Sequence, residues 1–377
     1  MEKKRILIVA SLSQSLINFR GDFIKSLISA NYEVYALAPG HPDKIKNKLI
    51  ELGAIPIEFS LNRTGLNPLK DLKTISELKS IMHSYDIDLV FPYTVKPVIY
   101  SSIAANQIRI PVISLITGLG FTFTGLTLKA RILQRLNETL YKISIRKNRV
   151  VVFQNKDDYQ LFLDRKILNK NNKVAFVSGS GVNLNQFKYR TNKIESNKVS
   201  FLLVSRLIKE KGIALFLNAA KTLKEKYPDS EYHVIGGTDN SPSSIKEEEL
   251  KALDKAGIIV YHGKQTNIPE HLYKRDVFVL PTYYREGVPR SILEALSVGL
   301  PIITTNTPGC KETVKKGYNG ILIEPQNQKS LNDAMEFFLK NKHLIEEMGI
   351  NSRKYAQERF DVKIINKELI NLISQEI

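Results

Sequence analysis

Hydrophobic residues in this chain come in short unbroken runs, each followed by a polar loop and then by an apolar repeat at helical spacing. Arg5–Ala10 (RILIVA) is the first run, a helical pattern covers about Asp22–Ala30, and EVYALAP returns to a strand pattern that stops at Pro39. Further strand candidates in the first half are Leu89–Phe91, Val112–Leu115, Val150–Phe153 and Val174–Val177. Continuous runs of this length, separated by helices, predict parallel strands buried on both faces and joined in βαβ units. The same grammar restarts near Val199. SFLLVS predicts a strand, RLIKEKG a loop and Ile213–Lys226 a helix, with later strands at EYHVIGG, IIVYHG, DVFVLPT, PIITTN and GILIE.

Two Rossmann-like α/β domains follow from this pattern, and 377 residues is the right length for two. The first is expected over 1–187 and the second over 199–361. Between them, 188–198 is polar and without periodicity and reads as a linker. Residues 362–377 carry a helical pattern (Val362–Ile373) beyond what the second sheet needs, which could return to the first domain. Ligands of such domains bind at the carboxyl ends of the strands, and the cleft between the domains is the expected site.

Composition narrows the class. An apolar fraction of 43% and a charged fraction of 25% are those of a soluble globular protein. The apolar run in MEKKRILIVA is too short for a signal segment, and no later stretch has the roughly 18 apolar residues of a membrane span. A single cysteine, Cys310, excludes an internal disulfide or a cysteine metal cluster, so a cytoplasmic setting is expected. Charge is uneven. Of 55 basic and 38 acidic side chains, residues 1–190 hold 28 and 14, which leaves little excess for the rest. That asymmetry points to an anionic partner for the first half: nucleic acid, a membrane surface or a phosphorylated substrate.

Two constellations carry chemistry. In Arg285–Val314 (REGVPRSILEALSVGLPIITTNTPGCKETV), Glu286 falls in the loop past a strand's carboxyl end, and Pro289 suits the first turn of the next helix. Glu294 then lies within that helix. Both carboxylates could face one crevice beside the helix amino terminus, accepting from sugar hydroxyls while backbone N–H groups hold phosphate. A dipole-stabilised acid and a solvated surface acid would give the same spacing. In SRLIKEKGIALF, Arg206 and Lys211 follow the first strand of the second domain, and Gly212 opens a helix. The pair reads as a diphosphate clamp or as a solvated basic loop, and its position at a strand end of the same domain favours the clamp.

Taken in order, SRLIKEKG, the Gly-rich strand end, EGVPRSILEAL, PGCKETV and GYNGILI resemble the retaining GT-B-fold glycosyltransferases of family 4, the group 1 glycosyltransferases. SLINFRGDFIKSL, YTVKPVIY, ITGLGFTF, VFQNKDD and SGSGVNLNQF extend the resemblance across the first half. It is strongest to members that build O-antigen, capsule or glycan repeat units on a polyprenyl-diphosphate carrier. The resemblance implies a nucleotide-sugar donor, most simply a UDP-N-acetylhexosamine, and a lipid-diphosphate-linked acceptor. It assigns Arg206 and Lys211 to the donor diphosphate, Glu286 to the donor sugar with Gly287 and Val288 offering N–H groups, and Glu294 to the ribose. Gly21, in the loop after the first strand, would let the diphosphate approach, and the Gly263–Lys264 turn would lie against the base. Preorganised cations facing the departing diphosphate suit the chemistry.

Many members of the family carry a first-domain histidine near the reacting carbon, whereas the loops YTVKP and ITGLG have none. No general base is therefore assigned, and Arg20, Thr94, Lys96 and Thr117 are the acceptor-side candidates. Asp86-Ile87-Asp88 reads as D-x-D but precedes its strand, so no obligatory metal or other cofactor is expected. Cys310, at an expected helix start, could have a lowered pKa, yet without a base beside it the role is structural. Neither first βα turn contains G-x-G-x-x-G, which argues against a nicotinamide cofactor. Of the competing functions, a nucleotide-sugar 2-epimerase shares the architecture but is disfavoured by the paired glutamates. A nucleic-acid-binding protein lacks any zinc, helix-turn-helix or RNP pattern. Lastly, Leu126–Arg149 forms a basic amphipathic helix. Ile132, Leu133, Leu136, Leu140 and Ile143 are expected to pack inward, with the basic side on the anionic inner face of the membrane.

Overall fold

The computed structural model describes residues 2–62, 67–120, 128–190, 198–238 and 243–377. It divides into two compact units, Met1–Ser180 with Val362–Ile377, and Gly181–Asp361. The first unit alternates β1 (Arg5–Val9), α1 (Ser13–Ser29), β2 (Glu33–Ala38), α2 (Asp43–Glu51), β3 (Ile55–Glu58), α3 (Pro68–Ser84), β4 (Leu89–Pro92), α4 (Val95–Gln107), β5 (Ile113–Ile116), α5 (Leu128–Ser144), β6 (Val150–Phe153), α6 (Lys156–Asp164) and β7 (Val174–Phe176). Its strands run parallel in the order β3-β2-β1-β4, and bridges from Val90 to Val112 and from Tyr93 to Leu115 carry the sheet on to β5-β6-β7. Successive side chains of a strand point to opposite faces, so β1 serves two cores. Leu7 and Val9 pack with Val98, Phe153 and Phe162, while Ile6 and Ile8 pack with Leu16, Phe23, Ile24 and Leu27 of α1. Local signals set the helix starts. Asn67, before Pro68, accepts from the Lys70 N–H at 3.2 Å, and Asn155 accepts from the Asp158 N–H at 2.8 Å.

The second unit contains β8 (Ser200–Val204), α7 (Ile213–Lys226), β9 (Glu231–Ile235), α8 (Glu247–Lys255), β10 (Val260–Tyr261), α9 (Ile268–Tyr273), β11 (Val277–Leu280), α10 (Arg290–Val298), β12 (Ile302–Thr305), β13 (Gly320–Ile323), α11 (Gln328–Lys340) and α12 (His343–Tyr355). Its parallel order β10-β9-β8-β11-β12-β13 is the doubly wound Rossmann order. The order reverses between β8 and β11, as it does in the first unit between β1 and β4. Those two switch points are where a ligand meets strand ends from both halves of a sheet. The last helix, α13 (Val362–Ser374), belongs to the first unit. There Ile365, Leu369 and Ile373 are buried with Phe23 and Leu27, and the Asn366 amide donates to Ser26 Oγ at 3.0 Å.

Three expectations need correction. The expected first-domain limit at 187 and linker at 188–198 do not match the division, which falls between Ser180 and Gly181. Val182 and Phe187 are buried with Ile292, Leu296 and Phe360, and the Val182 N–H donates to Phe360 O at 2.8 Å, so this polar-looking stretch is anchored in the second unit. Residues 191–197 of the expected linker lie outside the described residues. Next, α1 starts at Ser13 rather than near Asp22, because Leu16, Arg20, Phe23 and Leu27 keep the helical spacing with a charged residue in an apolar slot. Gly21 consequently lies inside a helix and not in a loop. Finally, α5 buries Tyr141 and points Ile132, Leu136 and Ile143 outward, at 61%, 41% and 65% exposure. These apolar residues share an exposed stripe with Arg135 and Lys142 instead of packing inward.

Candidate active site

Three strand-end loops of the second unit are fastened together by backbone contacts. After β8 the chain makes a single 3₁₀ turn, Lys209–Lys211, and leaves it through Gly212 at φ 75°. A Cβ on Gly212 would stand 2.1 Å from Pro281 O, so only glycine lets this turn lie against the end of β11. The carbonyl of Glu210 then accepts three hydrogen bonds from the β11 loop: Tyr283 N–H at 2.9 Å, Tyr284 N–H at 3.1 Å and Thr282 Oγ–H at 3.0 Å. The loop after β12 is tied to the same place. The Thr305 hydroxyl donates to Thr282 O at 2.5 Å, and Gly309, at φ 79°, lies so close to Gly287 that a Cβ would be 1.3 Å from its oxygen.

These fastenings bring Lys211 and Glu286, 75 residues apart, into a salt bridge in which both side chains are nearly buried. Lys211 Nζ also lies 5.5 Å from the centre of the Tyr284 ring. Arg206, in the loop after β8, is exposed. Helices α7 and α10 start beside these loops, at Gly212 and Pro289, and neither first turn is capped by a side chain. Cations next to such helix starts suit an anionic ligand such as a diphosphate. Glu294 sits apart from that pair, on α10, accepting from Arg290 Nε at 3.0 Å. Burial pushes its carboxyl above the ordinary range, with Arg290 opposing the shift. Beyond β9 and β10, the Gly236 N–H donates to Gly263 O at 3.0 Å, and Lys264 is exposed at the turn. Cys310 lies fully buried below the loops. Burial and the nearby Glu286 charge push its thiol up to about 11, the reverse of the lowering expected at a helix start.

The chain matches two family models along its length: "Glycosyl transferase 4-like" over residues 5–155 and "Glycosyl transferases group 1" over residues 185–355. The chain is a group 1 glycosyltransferase. It is 28% identical, over 99% of both chains, to N,N'-diacetylbacillosaminyl-diphospho-undecaprenol alpha-1,3-N-acetylgalactosaminyltransferase of Campylobacter jejuni. It is 25% identical to the capsular polysaccharide biosynthesis glycosyltransferase CapM of Staphylococcus aureus, over 98% of this chain and 96% of that one. Among solved structures, a glycosyltransferase from Rickettsia africae superposes with a TM-score of 0.80 at 18% identity, covering 100% of this chain and 99% of the other. HepE of Anabaena, crystallised with UDP, gives 0.75 at 17% identity over 99% and 100%. Both show the GT-B fold. Transfer, not epimerisation, is the reaction class.

In the first unit of the glycosyltransferase, the loops after β1 and β4 meet at the switch point. The Tyr93 hydroxyl and Ser15 Oγ are 2.8 Å apart, and Ser15 donates to Leu12 O at 2.6 Å, so Tyr93 is the donor to Ser15. Buried Arg20 stands 5.2 Å from the centre of the Tyr93 ring, and burial raises the Tyr93 phenol to about 12. Thr94 follows at φ 68°, ψ 159°, a region that side chains other than glycine's enter at a cost of about 1–3 kcal/mol. Lys96 is committed within the unit: its ammonium donates to Asn62 O at 2.6 Å and lies 3.7 Å from Asp71. Thr117 follows β5 and is half-buried. Gly21 packs α1 on α2, its Cβ position 3.7 Å from Leu52 Cδ1, which corrects its assignment to a diphosphate-facing loop. Asp86 and Asp88 pair with Arg5 and Lys4 at the amino-terminal edge of the sheet, the end opposite the switch point. Tyr93, Ser11, Ser15, Thr282 and Gly309 went unseen in the sequence. For Tyr93 and Ser11 the available signal was their position just past a buried run; Ser15, Thr282 and Gly309 carried none.

Proposed function

We propose that this glycosyltransferase moves an N-acetylhexosamine from a UDP-sugar, with retention at the anomeric carbon, to a saccharide carried on a lipid diphosphate. The Lys211–Glu286 pair at the β8/β11 switch point carries the reading. As the bond between the sugar carbon and the diphosphate oxygen breaks, negative charge gathers on the diphosphate, and Lys211 and Arg206 oppose it. Glu286 is free to exchange Lys211 for the hydroxyls of the sugar. The acceptor hydroxyl forms the new glycosidic bond and passes its proton to the diphosphate oxygen freed when the sugar bond breaks, and UDP leaves. Glu294, Gly287, Val288, Gly263 and Lys264 complete the donor side in this reading, with Arg20 and Thr117 on the acceptor side and Thr94 shaping the loop beside them. Support for the acceptor class comes from the Campylobacter relative and from a 27% identical Escherichia coli relative whose name specifies transfer from UDP-galactose to GlcNAc-diphosphoundecaprenol, matched over 79% of this chain.

The enzyme works, in this proposal, from the inner face of the membrane. No helix among the described residues is long and apolar enough to cross a bilayer. The exposed stripe of α5 combines Ile132, Leu136 and Ile143 with Arg135 and Lys142, a surface suited to anionic lipid. Metal is not required, because the two cations supply the positive charge. The test is to incubate the protein with a panel of UDP-sugars and undecaprenyl-diphosphate-linked saccharides, with and without excess chelator. Transfer from one UDP-N-acetylhexosamine, undiminished by chelator, is expected. Transfer only to soluble acceptors, or strict dependence on magnesium or manganese, would reject the corresponding part.

A further inference from the structure

Among the described residues of the first unit, Thr94 is the β-branched one with a positive φ, and that conformation asks for a reason. It precedes α4 at φ 68°, ψ 159°, where a β-branched side chain is disfavoured. A threonine here would ordinarily cap its own helix, yet its side chain makes no cap bond. Its hydroxyl instead donates to Ser11 Oγ at 3.1 Å, across to the loop after β1. One residue earlier, Tyr93 makes a second tie to that loop through Ser15 and Leu12 O. Both bonds cross the switch point between β1 and β4, and neighbouring Arg20 stands by Tyr93. The backbone strain therefore falls at the place where a doubly wound sheet receives its ligand.

We propose that the Thr94–Ser11 hydrogen bond is a latch that holds the β1 and β4 loops, under backbone strain, in the arrangement that receives the acceptor. Thr94 and Ser11 are positioning residues. This rests on the functional reading above for what is received, but the latch itself is a property of the fold. A residue under strain only for function has a distinctive signature: relieving the strain stabilises the protein while it harms the reaction.

Three variants separate the possibilities. Thr94→Gly removes the strain and the bond together, Thr94→Val keeps the strain and removes the bond, and Ser11→Ala removes the bond from the other side. Thr94→Gly is expected to keep or raise Tm while kcat/KM for the lipid-linked acceptor falls by about 5- to 150-fold, the range that such strain converts to. Thr94→Val and Ser11→Ala should lower Tm and acceptor kcat/KM, with a double variant no worse than the poorer single one. UDP affinity and donor hydrolysis by water should stay within twofold in all of them. In hydrogen exchange, residues 11–16 and 94–98 should lose protection together. Acceptor kcat/KM within twofold of wild type in Thr94→Gly, or a lowered Tm in that variant, would overturn the latch. Should the wild-type protein transfer to no lipid-linked acceptor, the functional reading fails, and the Tm order with the paired loss of protection still decides the latch.

Discussion

Lys211 and Glu286 neutralise one another, so removing either leaves a nearly buried charge unmatched. Hydrogen bonds to charged groups contribute about 1.5–3 kcal/mol each, and Lys211→Ala should therefore lower kcat/KM by about 10- to 150-fold. The two glutamates should separate in steady-state kinetics with varied donor. Glu286→Ala should mainly lower kcat, and Glu294→Ala, whose carboxyl bonds Arg290 and not Lys211, should mainly raise the donor KM. Identical defects would count against distinct roles. Gly309→Ala has a different origin. Its methyl would coincide with Gly287 O, 1.3 Å away, so the Glu286 loop must move. A loss above about 1 kcal/mol, read as a fall in Tm of at least about 2–4 °C, should accompany loss of activity. The side chains proposed to act through charge were legible in the sequence because Arg206, Lys211 and Glu286 lie in the loops that follow strand ends. Thr282 and Gly309 act through backbone contacts between loops remote in sequence, and nothing local to them announces it.

Among the elements, β9, β10 and α9 share a histidine cluster that ties stability to pH. His233 of β9 is 3.1 Å from His262, which follows β10, and the His262 ring packs edge-on to His271 of α9 at 4.9 Å. Burial, then the positive charge of Arg275, lowers His233 to about 4, while Glu231 pulls it upward. Burial also lowers His262 and His271; the charges of His271 and Arg275 add to this at His262 and those of Arg275 and Lys274 at His271, while Asp254 favours protonation of His262 and Glu270 that of His271. At His233 the unfolded chain binds a proton near pH 6.5 that the folded one refuses until about 4. Stability should accordingly be constant above about pH 7 and fall through that window, by up to about 3 kcal/mol from His233 alone. Thermal unfolding between pH 7.5 and 4.5 measures it, and His233→Gln should flatten the curve. Most strands and helices were legible as elements because both faces of each sheet are covered, which makes the runs continuous. The exceptions have physical causes. A buried arginine interrupts the apolar repeat of α1, and β3 is an exposed edge strand with a proline in it.

At the scale of the whole molecule, the double Rossmann plan could be read from the restart of the strand–helix grammar, whereas the join between the units could not. Val182 and Phe187 are isolated apolar residues in a polar stretch, and their burial depends on partners more than a hundred residues later. Charge asymmetry was equally legible, and its consequence is measurable. With about 1 kcal/mol for each basic residue near an anionic surface, co-sedimentation with anionic vesicles should exceed that with neutral ones. It should weaken as the Debye length falls from about 10 Å at 0.1 M salt to about 3 Å at 1 M. The exposed Ile132, Leu136 and Ile143 should leave a salt-resistant remainder that Leu136→Glu abolishes. Equal binding to both vesicle types would contradict the electrostatic part. Helix α13 has a consequence of another kind. On the ribosome the amino-terminal sheet is made first, but Ile365, Leu369 and Ile373, which close one face of its core, are made only after all of residues 181–361. Residues 181–361 form their own unit without them, while the sheet encoded first waits for residues 362–377. The half encoded first thus depends on a segment encoded after the whole of the other unit, and a chain truncated after Asp361 would keep a complete second unit beside a first one exposing Phe23 and Leu27.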